Sequence, residues 1–223
     1  TMAPDSTTVG WTARPVSPRD VRVDGGFWGP RVETNRLQTV PYLLDMCDET
    51  GRTDSLRLEW KPGDEPSPHQ FWDSDIAKSI ESVAYSVMSA PDPALEARVD
   101  RIIELLESAQ EDDGYLNSYF QQVKPEARWT NLRDDHELYC AGHLIEAAVA
   151  YSEATGKGKL LSIMERYLDL IEKRFGAEGS PGYPGHEEIE LALCKLYRAT
   201  GRRDALDLAK LFLDRREIGR ASC

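Results

Sequence analysis

The chain has 223 residues, with 27 Lys and Arg against 39 Asp and Glu, for a formal net charge of −12. That balance excludes a nucleic-acid binder working through overall charge, because phosphate contact needs clustered cations. With 40% hydrophobic and 30% charged residues, it has a globular composition and a length that suits one domain or part of a larger one. There is no run of 18 apolar residues to suggest a membrane span. The N-terminal TMAPDSTTVGWTARP lacks the basic and apolar regions of a secretory signal.

In chain order, residues 1–20 are polar, contain proline and show no period. A short extended piece at 21–23 and the turn Asp24-Gly25-Gly26 lead to Phe27 and Trp28, which are expected to anchor this segment against the body. Residues 1–32 are therefore assigned as a tail and lead-in, and 33–223 as the helical domain. Arg36, Val40, Leu43, Leu44 and Cys47 form the first helical stripe, which ends at Glu49-Thr50-Gly51. Apolar spacing then predicts a helix over 74–89 with Asp73 or Ser74 as its N-cap, and one over 93–110 with proline in its opening turn. Further helices follow over 136–154, 159–175, 186–200 and 204–216. No convincing strand pattern occurs after residue 30.

The helices come in pairs. Tyr151 to Lys157 recurs as Tyr197 to Arg202, with the Ala-Thr-Gly copies 45 residues apart, and Asp48 to Arg52 is a weaker third copy. Glycine here is the left-handed cap that lets the chain reverse. A repeated hairpin of about 45 residues means an all-α helical-hairpin array, open or closed into an (α/α)6 toroid. Turns near 90–93, 156–158 and 200–203 are tight, whereas connections at 51–73, 111–135 and 176–185 are long, aromatic and polar. Alternating helix direction gathers the long loops at one end, as a scaffold does when it presents a site, and this favours the toroid. Six such hairpins need roughly 270 residues. The seven helices here, followed by Arg215-Arg216 and a tail without a capping element, lead to the expectation of an incomplete ring.

Two His-Glu pairs, His136-Glu137 and His186-Glu187, stand 50 residues apart at the openings of two predicted helices. A histidine there can donate a hydrogen bond to a ligand hydroxyl. The loop from Asp112 to Phe120 holds Asp113, Tyr115 and further aromatics around Gly114, and Phe71-Trp72-Asp73-Ser74-Asp75 has the same character. Carboxylates paired with flat rings suit carbohydrate, although Asp73 and Asp113 equally suit helix caps or Asx turns. His136, Cys140 and His143 share one helical face, as do His186, Glu190 and Cys194, so either trio has zinc spacing. The internal positions of Cys140, His143 and Cys194 favour packing, and no metal ligand is assigned in this chain. HELYC is not the HExxH of metalloproteases. Cys47, Cys140, Cys194 and Cys223 form no CxxC pair; Cys47, Cys140 and Cys194 lie inside helical patterns and are expected to be reduced, buried thiols, which favours a cytoplasmic protein.

In order, Phe71-Trp72-Asp73-Ser74-Asp75, Asp113-Gly114-Tyr115-Leu116, His136 to His143 and Gly185 to Leu193 resemble glycoside hydrolase family 127, over about residues 20–215. The resemblance implies an (α/α)6 barrel and an activity of the β-L-arabinofuranosidase type on arabinofuranosides or related glycans. It also implies retention through a cysteine thiolate held by zinc, the zinc bound by cysteines and a glutamate, with another glutamate as acid/base. In the family those residues belong to the later part of the barrel. The resemblance therefore assigns the nucleophile to none of the four cysteines here and no catalytic residue to this chain, and it expects zinc only in a full-length member. His136 and His186 match histidines lining the sugar pocket, while Asp73, Asp75, Asp113 and Tyr115 are expected to shape its mouth. The competing expectations are another sugar-active toroid, such as an epimerase or unsaturated-uronide hydrolase, and a non-enzymatic helical-repeat binding module. Neither nucleic acid nor membrane is expected as a partner.

Overall fold

After a 3-10 turn at Pro18–Asp20, α-helix begins where Pro30 occupies the opening turn of α1 (Gly29–Thr34), which continues through a π-turn at Asn35–Thr39 into α2 (Val40–Glu49). The computed structural model describes residues 16–216. The tail at 1–15, Cys223 and the end at 217–223, expected to lack a capping element, lie outside the described residues. After α2, Gly51 at φ 81° turns the chain into the short α3 (Arg52–Ser55). Then comes α4 (Trp72–Ser89), which stops at the extended Ala90 because the following Pro91 disfavours helix there. Asp92 caps α5 (Pro93–Ala109) by accepting from the Ala94 and Leu95 amides at 3.0 and 3.1 Å, a contact worth about 1 kcal/mol. Asn117 caps α6 (Ser118–Gln122) in the same way. The remaining helices are α7 (Glu137–Thr155), α8 (Lys159–Phe175), α9 (Ile189–Thr200) and α10 (Arg203–Arg215). No strand occurs among the described residues.

The protein is all-α and is built from helical hairpins, as its periodicity predicts. The helices α4, α7 and α9 pack side by side with α7 in the middle, backed by α5, α8 and α10, with α5 against α8 and α8 against α10. Tight turns join each front helix to the one behind it, so the three front helices run parallel and the long loops collect at their N-terminal end. The middle helix α7 is buried almost all round, with Ala141, Gly142, Ala147, Ala148, Ala150 and Ala154 keeping the approach of its neighbours close. By contrast, α8 and α10 bury one stripe each: Leu160, Ile163, Met164, Tyr167, Leu168 and Ile171 in α8, and Ala205, Leu208, Ala209 and Phe212 in α10.

The repeated Ala-Thr-Gly segments do the same work at both sites. Gly156 and Gly201 cap α7 and α9 at φ 76° and 78°. The preceding Thr155 and Thr200 hydroxyls each donate to the carbonyl four residues back and accept from the amide two residues on. The third copy ends a different kind of helix. Thr50 and Gly51 close α2 beside the start of α4, where Arg52 donates to Asp75 at 2.8 Å, so they repeat the helix stop but not the hairpin.

Three local expectations change. Phe27 and Trp28 are 62% and 63% exposed and pack edge-to-face on each other, with the Arg31 guanidinium 3.5 Å above the Phe27 ring; they do not anchor the lead-in to the body. Neither Asp73 nor Ser74 caps α4, whose N-cap is Phe71. Finally, α9 starts at Ile189, leaving His186 in the loop ahead of the helix.

Candidate functional site

The long loops converge on a cleft of about 490 Å³ lined by Arg52, His69, Phe71, Asp75, Lys78, His136, Tyr139 and His186 together with Trp72 and Ser74. His136 is the N-cap of α7 at φ 59°, a left-handed conformation that turns the chain sharply into the helix. Its Nδ1 lies 2.5 Å from the Asp134 carbonyl oxygen. Around it stand Phe71 at 4.9 Å, Tyr139 at 5.6 Å and His186 at 6.4 Å between ring centroids, and Tyr139 lies 4.8 Å from His186. Lys78 donates to the Tyr139 hydroxyl at 2.8 Å. The two histidines meet because the two loops touch: the Gly185 amide donates to the Leu132 carbonyl at 3.0 Å, and a Cβ on Gly185 would stand 2.2 Å from the Arg133 carbonyl oxygen.

The other acidic and aromatic candidates serve the loops from behind. Asp73 is buried and accepts from the Ser118 amide at 2.8 Å and the Ser118 hydroxyl at 2.5 Å, tying α4 to α6; burial pushes its carboxyl up. Asp113 forms an Asx turn with the Tyr115 amide at 2.9 Å and pairs with Arg128 at 2.8 Å. Tyr115 is fully buried under the Arg128 guanidinium, 3.6 Å from its ring centre, and donates its hydroxyl to Glu137 at 2.5 Å. Of the six sequence candidates, His136, His186 and Asp75 line the cleft; Asp73, Asp113 and Tyr115 do not, because their polar atoms are taken by other loops.

The two His-Glu pairs are not equivalent. Glu137 is fully buried and accepts from Tyr115 and from the Trp129 amide at 2.7 Å, whereas Glu187 is exposed and Glu188 is the buried member of its loop. One turn along α7 from Tyr139, the His143 ring lies 4.5 Å from the Tyr139 ring. His143 Nδ1 is 3.2 Å from Glu188 Oε1 and 3.7 Å from Glu146 Oε2. Lys195 pairs with Glu146 and lies 3.8 Å from Glu81. Burial and the Lys78 charge pull the His143 imidazole down to about 4, so it is neutral at pH 7, and burial beside Glu146 pushes Glu188 up to about 8.

The chain matches the family described as Beta-L-arabinofuranosidase, GH127 catalytic domain, over residues 20–221. It belongs to that family. A curated relative, the non-reducing end beta-L-arabinofuranosidase of Bifidobacterium longum subsp. longum, is 40% identical over 151 residues, covering 65% of this chain and 23% of its own length. The structure of a GH127 beta-L-arabinofuranosidase from Geobacillus stearothermophilus is 43% identical with a TM-score of 0.82, over 88% of this chain and 32% of that one. A second solved GH127 β-arabinofuranosidase is 35% identical with a TM-score of 0.85, over 93% and 34%. The chain thus spans about a quarter to a third of the length of these relatives, and its helices form an arc of the GH127 toroid.

The thiolate-bound zinc that family resemblance implies does not fit the side chains described here. Cys47 is buried against Ser79 in α2, and Cys140 is buried in α7, its thiol donating to the Gln70 carbonyl at 3.2 Å. Cys194 is half-buried in α9, and burial pushes the Cys47 and Cys140 thiols up, away from thiolate. Among the described residues the one cluster of metal-capable side chains is His143, Glu146 and Glu188, without a cysteine. The zinc trios suggested by helical spacing are not assembled. Glu190, in the second trio, pairs instead with Arg216 at 2.7 Å.

Sequence reasoning missed the residues that hold the site from outside. Arg216, the last residue of the final predicted helix, donates to the His186 carbonyl at 3.0 Å and to Glu190, fixing the loop that carries His186. Arg215 reaches the carbonyls of Phe175, Gly176, Ser180 and Gly182 in the same connection. The only sequence signal was two adjacent arginines at the end of an amphipathic helix, where such cations commonly meet helix carbonyls.

Proposed function

We propose that this GH127 chain supplies the wall that holds the terminal sugar in a β-L-arabinofuranosidase acting on arabinofuranosides or related glycans. The observation that carries the reading is the convergence of His136 and His186, from two successive loops, on one cleft floored by Tyr139 and Phe71. Imidazole N–H groups donate to sugar hydroxyls, and the aromatic faces pack against the C–H faces of the ring. Asp75, held by Arg52, adds a hydroxyl acceptor at the rim, while Asp73, Asp113 and Tyr115 shape the mouth indirectly by fixing its loops. No thiolate or acid/base role is assigned to a residue of this chain, so it binds without turnover. Reduced Cys47, Cys140 and Cys194 fit a cytoplasmic setting as part of the same reading.

Titrating the chain with L-arabinofuranosides by saturation-transfer NMR tests this. His136→Ala and His186→Ala are each expected to weaken binding about tenfold, the value of one hydrogen bond of about 1.4 kcal/mol. Unchanged affinity in both variants would remove the sugar site from this cleft. Turnover of a chromogenic arabinofuranoside by the chain, abolished by either substitution, would move the histidines from binding to catalysis.

A further inference from the structure

We infer that His143, Glu146 and Glu188 form a binding site for one divalent cation of the zinc type, joining α7 to the start of α9 below the sugar cleft. The three side chains each offer one ligand atom, and those atoms lie within 4.8 Å of one another. Nδ1 of His143 stands 3.2 Å from Glu188 Oε1 and 3.7 Å from Glu146 Oε2. With metal–nitrogen and metal–oxygen bonds near 2.1 Å, the edge of a tetrahedron is about 3.4 Å, so one ion would reach all three from their present positions with small shifts.

The atoms themselves point to a ligand. His143 Nδ1 and Glu188 Oε1 are both shut off from solvent and neither makes a hydrogen bond, although they face each other. Glu188 is only 8% exposed, and a buried polar atom left unpaired in this way destabilises the fold unless a ligand satisfies it. The second oxygen of Glu146 is already taken by Lys195, which leaves its other oxygen directed at His143. Charge gives the same answer. Glu146 pairs with Lys195, which also lies 3.8 Å from Glu81, so Glu188 brings a third carboxyl to this cluster and a cation bound there would favour its ionised form. The close approach is built into the backbone as well: a Cβ on Gly142 would stand 2.8 Å from Glu188 Cγ and 2.9 Å from Ile189 Cα, so only glycine lets the start of α9 bring Glu188 to His143.

The donor set is one nitrogen and two oxygens, which suits zinc and similar borderline ions and leaves a position open for water. It is separate from any thiolate chemistry and independent of which sugar the cleft accepts. Because Tyr139 packs on both His143 and His186, the ion would also stiffen the floor of the cleft.

Equilibrium dialysis of the chain against Zn²⁺ at neutral pH should load about one ion per chain and raise the melting temperature, since an ion that binds only the folded form stabilises it. His143→Gln and Glu188→Gln should each weaken loading by more than about tenfold, while Cys194→Ser and Cys223→Ser leave it unchanged. Cobalt(II) in place of zinc should show d–d absorption without the intense charge-transfer band of a thiolate ligand. That spectrum reads the wild-type chain directly, so the inference stays testable if a substitution fails to fold. Loading that survives both His143→Gln and Glu188→Gln, or a thiolate band with cobalt, would overturn it. So would absence of loading combined with a higher melting temperature for Glu188→Gln, which would mean that a proton shared by Glu146 and Glu188 occupies the place of the ion.

Discussion

Glu137 is closed off from water, and its partners are two neutral donors, the Tyr115 hydroxyl and the Trp129 amide. Burial pushes its carboxyl up to about 7; Asp135 adds to this, while the two hydrogen bonds and Arg128 oppose it. An unfolded glutamate ionises near pH 4.3, so between there and about pH 7 the unfolded chain releases a proton that the folded chain keeps. Stability contributed by this group is therefore complete at pH 4 and is lost as the pH rises through 7, with a size on the order of 3 kcal/mol. Glu137→Gln keeps an acceptor for Trp129 and cannot ionise. Urea unfolding at pH 4.5, 6 and 7.5 should find that the variant gains on the parent chain as pH rises; parallel curves would mean the carboxylate ionises freely in the fold. The position also shows what adjacent residues can hide. His136 and Glu137 look like a functional pair in sequence, yet one lines the cleft and the other is locked behind it.

At the scale of elements, the site depends on how successive loops touch. Gly185 sits against the Arg133 backbone, and that contact sets the 6.4 Å spacing between the His136 and His186 rings. Gly185→Ala should force the loops apart, costing about 1–3 kcal/mol through overpacking. It should also lower sugar affinity more than its melting temperature alone would suggest, read by NMR titration below the transition. If affinity is retained while stability falls, the two histidines do not need their present spacing. The helices themselves are legible in sequence to within a few residues, because their apolar spacing and stop signals act over three or four positions. Only α9 begins more than one residue later than its pattern predicts, since 186–188 are bound by Arg216 and by α7 before the helix can start.

Across the whole molecule, α10 closes the arrangement by gripping the connection between α8 and α9. Arg215 donates to four carbonyls there, and Phe212 packs against Phe175 beneath them. Arg215→Ala should cost about 2–4 kcal/mol, since hydrogen bonds from a charged group are worth about 1.5–3 kcal/mol each and are not additive. For a chain of this size that is a fall of roughly 5–12 °C in melting temperature. Arg215→Lys should recover little, because an ammonium cannot fork to four acceptors. Thermal unfolding followed by circular dichroism separates these outcomes, and full recovery by lysine would reduce the contact to simple charge.

By itself the sequence determined the helical hairpins, the tight turns at one end and the long loops at the other, and hence the end at which the loops enclose a cleft. Those features follow from contacts between near neighbours. Tertiary structure decided which polar side chains remain free for a ligand, because the partners that use them up are far away in the chain. Asp73 is taken by Ser118, Tyr115 by Glu137, and the carbonyl of His186 by Arg216. His143 and Glu188, which carry no shared motif, are brought face to face by the close packing of two helices. A polar residue in a loop advertises its chemistry in the sequence, but whether that chemistry is spent on the fold or left for a ligand depends on hydrogen-bond partners that only the packed chain supplies.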